Sequence, residues 1–171
     1  MTLPLLLLLL FYQAPQKPVY DRQEYAAKLT KEFFRGDFWD FITYPDPVND
    51  KVSWGYFATK GEARKTATIL PIPVVEYDAA KAGYRLKKDL MKAFVLKSGQ
   101  LIAIANFHKG ESEWYGGYDN DLPTSRKLYA AYLLGPDEFY LSCSTSSALC
   151  GYILLKNDRE YRWNHGTKSF E

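Results

Sequence analysis

The stretch KLYAAYLLGPDEFYLSCSTSSALCGYILLKNDREYRW, residues 127–163, decides how this chain is read. Apolar runs alternate in it with turn chemistry, at Gly135-Pro136-Asp137-Glu138 and again at Asn157-Asp158. Residues 139–143, 150–156 and 160–163 read as strands. Residues 127–134 read as a further strand, because Leu128, Ala130, Tyr132 and Leu134 alternate with Tyr129, Ala131 and Leu133. A helix capped by Thr124 or Ser125 and ended by Gly135-Pro136 is the alternative there. The chain's two cysteines, Cys143 and Cys150, fall inside this meander. A disulfide between them would close a short loop and stabilise the fold by about 2–3 kcal/mol.

Working outward, residues 91–108 form the clearest hairpin. KAFVLK and QLIAIANF flank Ser98-Gly99, a two-residue turn of the kind hairpins favour. Both faces of this hairpin are apolar, which predicts a central pair covered on both sides. Residues 52–58 and 66–70 read as strands joined by a turn at Lys60-Gly61-Glu62. Pro71 and Pro73 confine their segment to a sheet edge or a crossing, with a short extended piece over 73–77. Residues 78–90 read as a helix with Asp78 as its cap and Ala79, Ala82, Leu86 and Leu90 as its stripe. A hairpin turning at residues 81–83 is the alternative, and Gly83 favours it. Residues 20–35 read as a helix capped by Asp21, with Tyr25, Ala26, Leu29, Phe33 and Phe34 on one side. An aromatic-rich segment over 33–44 follows, and a polar tail from Asn164 is expected to fray. The fold class is α+β: an N-terminal helix packed on a curved antiparallel β-sheet of about six to eight strands, with a second helix near 78–90.

Residues 3–12 are almost wholly apolar and include six consecutive leucines, Leu5 to Leu10. As a helix they span about 15 Å, roughly half a bilayer core, so no stable membrane span is expected. Their length matches the apolar region of a signal peptide, although no Lys or Arg precedes them. Residues 1–14 are therefore expected to be a signal peptide and 15–171 a single globular domain, exported to a periplasmic or extracellular location. A pairing of the two cysteines agrees with an oxidising compartment. A short hydrophobic arm docked on the fold or on a partner is the alternative for residues 3–12.

The 22 basic and 20 acidic residues leave a net charge of +2, too balanced for a nucleic-acid or anionic-membrane partner. No phosphate-cradling glycine loop, nucleophile elbow or metal-ligand spacing is present, so no cofactor and no metal is expected. The candidate functional stretch is HKGESEWYGGYDND, residues 108–121, read as a loop. Trp114, Tyr115, Tyr118, Asp119 and Asp121 are its candidate binding residues, for an unknown protein, peptide or carbohydrate. Aromatic rings with acidic acceptors suit such a contact. His108 with Glu111 or Glu113 is the candidate catalytic set, as a general base beside carboxylates, since Cys143 could act as a nucleophile only if Cys150 were unpaired and a histidine lay close.

Three functions fit these residues. The first is an exported, non-catalytic binding or interaction protein, including an inhibitor or toxin-neutralising protein. The second is a small hydrolase built on His108, and the third is an envelope structural protein. The first asks least of the sequence.

Overall fold

Asp21 starts the first element. Its Oδ1 accepts hydrogen bonds from the backbone N–H groups of Gln23 (2.8 Å) and Glu24 (3.0 Å). Two free donors at the helix start are thereby satisfied, and α1 runs over Arg22–Arg35. The computed structural model describes residues 15–35, 45–46, 49–53, 57, 59–109, 114–119, 121–144 and 150–171. Much of the aromatic segment over 33–44 lies outside them. β1 (Pro45–Asp46) and β2 (Asn49–Ser53) pair as a small hairpin. β2 overlaps the start of the strand expected over 52–58, whose residues 54–56 and 58 are not among those described.

Where a turn was expected at residues 60–62, α2 forms over Lys60–Thr66. Thr59 Oγ1 accepts from Glu62 N at 3.0 Å, and Thr66 Oγ1 donates back to Glu62 O at 2.9 Å. β3 (Ala67–Ile72) and β4 (Val74–Asp78) are a single extended run broken at Pro73. β3 belongs to a four-stranded sheet and β4 to a six-stranded one. Proline has no N–H to give to a ladder, and the Pro73 carbonyl accepts from Leu141 N at 3.0 Å. Pro71 lies in an edge strand and Pro73 at the crossing, so one expected sheet becomes two.

Residues 78–90 are not a helix. Asp78 Oδ1 caps a single 3₁₀ turn over Ala79–Lys81, accepting from Ala80 N at 3.1 Å. The chain returns as β5 (Gly83–Leu86), antiparallel to β4. Gly83 explains the choice: a Cβ there would stand 2.8 Å from Gln16 Cβ. Gln16 N donates to Ala82 O (3.2 Å) and Tyr84 N donates to Gln16 O (2.9 Å). This pairing with the N-terminal arm outweighs the helical stripe.

β6 (Leu90–Lys97) and β7 (Gln100–Lys109) form the expected hairpin. Ser98 and Gly99 both have positive φ, 48° and 83°, the turn that matches strand twist. β8 (Trp114–Asp119) pairs with β7 from Lys109↔Trp114 to Ile104↔Asp119. The stretch expected as a loop over 108–121 is thus largely strand. α3 (Leu122–Leu134) replaces the strand expected over 127–134. Asp121 Oδ1 accepts from Thr124 N at 3.1 Å, and Pro123 occupies the first turn, where its missing N–H costs nothing. Leu128 and Tyr132, four residues apart, are buried, while Leu133 and Leu134 are 58% and 86% exposed. Every residue from 128 to 134 is apolar, so a period of two could be read into a helix.

β9 (Phe139–Cys143) and β10 (Cys150–Lys156) follow as expected. The disulfide Cys143–Cys150 joins residues directly opposite each other, with Cα atoms 4.0 Å apart. Asn157 and Asp158, at φ 49° and 55°, turn the chain into β11 (Arg159–Asn164). The tail expected to fray instead folds back as β12 (Ser169–Phe170). Two backbone hydrogen bonds between Arg162 and Glu171 (2.8 and 3.0 Å) hold it, and the Phe170 ring lies 5.2 Å from Trp163.

The strand orders are β3-β6-β7-β8 and β12-β11-β10-β9-β4-β5, antiparallel except for β4 beside β9. The class is α+β, and the central hairpin is covered on both faces. On one side Met91, Ala93, Val95, Ala105 and Phe107 meet Leu29 and Phe33 of α1 and Ala63 of α2. On the other, Phe94, Leu96 and Ile104 meet α3 and the six-stranded sheet through Leu128, Tyr132, Phe139, Leu141 and Tyr152. The Phe94 ring lies 5.2 Å from Tyr132 and 5.9 Å from Phe139. Phe94→Ala should therefore lower unfolding stability by about 3–5 kcal/mol in a denaturant titration. A loss below about 1 kcal/mol would place the centre of the core elsewhere.

Candidate binding site

The six-stranded sheet curls, and one hydrogen bond measures the curl. Tyr84 stands on β5 and Glu160 on β11, four ladder steps apart in the strand order. In a flat sheet four steps span about 19 Å. Yet Tyr84 Oη donates to Glu160 Oε2 at 2.8 Å. The face between them is concave. Val75, Tyr84, Tyr140, Ile153 and Leu155 fill its floor, and Tyr20 of the N-terminal arm packs on them.

Beside this floor lies a cavity of about 690 Å³, reached by side chains from β4, β5, β9, β10 and β11. Tyr77, half exposed at 51%, packs edge-on against Tyr84 at 5.5 Å between ring centres. Ser142 and Gly151 face each other across the β9–β10 ladder. Gly151 leaves a bare backbone: a Cβ added there would meet nothing within 4 Å.

One member of each of two ion pairs lines the cavity, Glu76 of one and Arg162 of the other. Glu160 Oε1 lies 2.5 Å from Arg162 Nη2, with side-chain exposures of 10% and 71%. Glu76 lies 3.1 Å from Arg85 Nη2 and 3.9 Å from the buried Lys87 Nζ, which also meets Asp89 at 3.6 Å. Burial pushes the Tyr84 phenol above its ordinary range, and the hydrogen bond and charge of Glu160 push it further. Ser142 and Arg162 act the other way, more weakly. This is an array of alternating donors and acceptors around an aromatic wall.

The candidate residues from the sequence lie elsewhere. Trp114, Tyr115, Tyr118 and Asp119 are on β8, the outer strand of the four-stranded sheet. Asp121 has a structural task as the α3 cap, and its bonds from Thr124 hold its carboxyl below the usual range. His108 is half-buried on β7, opposite Leu90 and Tyr115 in register, and it does not line the cavity. Glu111 and Glu113 lie outside the described residues. Among the described residues no group of three or more His, Cys, Asp or Glu gathers to hold a metal, and no helix is long and apolar enough to cross a membrane. Sequence reading missed Tyr84, Glu160 and Arg162. Glu160 and Arg162 share a face of β11 by strand alternation, but nothing local points to Tyr84.

No family model matches this chain, and neither a curated protein nor a solved structure matches it.

The tyrosines make the fold sensitive to alkali. Burial raises the phenols of Tyr25 and Tyr84, and it pushes Tyr140 up to about 12. An unfolded phenol ionises near about 10. Below that pH both states keep their protons and the contribution to stability is complete. Above it the unfolded chain releases protons first, so stability falls as pH climbs through the folded values. Phenolate absorbance should rise in two stages, the second coinciding with loss of the folded circular dichroism signal. Tyr84→Phe should shrink the second stage. A single stage near pH 10 in folded protein would contradict the burial of these rings.

Proposed function

We propose that the protein is an exported, non-catalytic interaction protein that takes an extended segment of a protein partner along β8. The observation that carries this reading is a comparison of the four outer edges of the two larger sheets. An open edge offers unpaired N–H and C=O groups to any passing strand, and proteins usually guard it. β3 carries Pro71 and is flanked by α2. β5 is bridged by Gln16. β12 is two residues long. β8 is six residues long, WYGGYD, with neither proline nor lysine, and among the described residues no strand pairs with its outer side.

Strand addition needs such an edge for affinity and side chains for specificity. Trp114, Tyr115 and Tyr118 supply residue types that dominate interfaces, and Asp119 a charge. An inhibitor or toxin-neutralising protein needs this much and no catalytic set. Export is supported by the Cys143–Cys150 disulfide and by the apolar run at residues 3–12.

Wild-type protein and two variants, Trp114→Ala and Tyr115→Lys/Tyr118→Lys, can be cross-linked in extracts of the native exported fraction. Partners held by the wild type should bind both variants about tenfold or more weakly, with unchanged melting temperatures. The β8 amides should exchange more slowly in the complex. Equal retention by all three proteins would move the interface away from β8. Recovery of the protein in the cytosol with two reactive thiols would end the export reading.

A further inference from the structure

We infer that the concave cavity of the six-stranded sheet is a separate binding site for a neutral carbohydrate. The inference rests on the side chains around Tyr77, Glu76 and Arg162, and it does not depend on β8. Its volume of about 690 Å³ falls within the range of small-molecule sites, roughly 300–1,000 Å³.

The charges decide the ligand class. Of the charged side chains on the lining, Arg162 is matched by Glu160, and Glu76 by Arg85 and Lys87. The formal charges of the lining residues Glu76 and Arg162 therefore cancel, which leaves little field to attract an ion. An anion would find a stronger field in the shallow groove between α1 and α2, lined by Lys31, Arg35, Lys60 and Arg64. A purely apolar ligand would cover carboxylates and guanidinium groups without replacing their water, which is costly. A neutral polyhydroxylated ring answers both objections. Each hydroxyl can donate to a carboxylate and accept from a guanidinium, so the hydroxyls of one ligand can donate to Glu76 and accept from Arg162, both on the cavity lining. The hydroxyl of Ser142, partly exposed on the cavity wall, adds a group of either sense. The apolar C–H face of a pyranose suits the half-exposed Tyr77 ring, which Tyr84 holds edge-on. Gly151 leaves the space the ring would occupy.

Gly151 also provides the test. Its φ is ordinary for any residue and a side chain there meets open space, so Gly151→Leu should fill the cavity while keeping the fold. Maltose, cellobiose and diacetylchitobiose, with their uronate and sulfated counterparts, would be titrated by calorimetry and by the fluorescence of Trp163, which lines the cavity. The wild type should bind at least one neutral disaccharide saturably and its charged counterparts more weakly. Gly151→Leu and Tyr77→Ala should each weaken that binding at least about tenfold, and Trp114→Ala should leave it unchanged. Because Tyr77 is half exposed, Tyr77→Ala tests the site even if Gly151→Leu fails to fold. Absence of saturable binding to the neutral sugars, tighter binding of the charged ones, or wild-type binding by a folded Gly151→Leu or Tyr77→Ala would overturn the inference.

Discussion

Burial of β6 and β7 on both faces is the constraint from which the other layers follow. Neighbouring strand residues point to opposite sides, so a hairpin apolar at nearly every position needs two partners. Met91, Ala93 and Val95 require α1 on one side; Phe94 and Leu96 require α3 and a second sheet on the other. The connection that supplies that second sheet is the break at Pro73, which ends one ladder and starts another within a single extended run. The helices reach their places because Asp21, Thr59 and Asp121 cap them at defined points.

The six-stranded sheet has a second dependence. Its outer strand β5 is held by Gln16 at Gly83, and the same strand presents Tyr84 toward Glu160. The N-terminal arm therefore braces the strand that closes the concave face. The carboxylates there are shielded while their arginines reach solvent, so the rim stays hydrated although the floor is apolar.

Much of this was legible where the signal is local. The two-residue turns at Ser98-Gly99 and Asn157-Asp158, the Asp21 cap and the opposed cysteines all follow from short-range chemistry. The errors fall where partners distant in sequence choose between two local options. Residues 128–134 fit either period, and burial of Leu128 and Tyr132 against Phe94 selected the helix. Residues 78–90 carry a helical stripe, and close approach of Gln16 to Gly83 selected the hairpin. The tail became a strand because Phe170 found Trp163 and Phe139. The cavity was invisible for the same reason: its members come from five strands, and no spacing announces the curl that gathers them.

The Tyr84–Glu160 contact joins residues 76 apart in sequence and closes across four ladders. Contacts of that separation carry a high loop-closure cost unless intervening pairings have shortened the path. The concave cavity thus depends on those pairings being in place. A chain with its helices formed and its central hairpin paired has no such site yet, so ligand occupancy would report that assembly is complete.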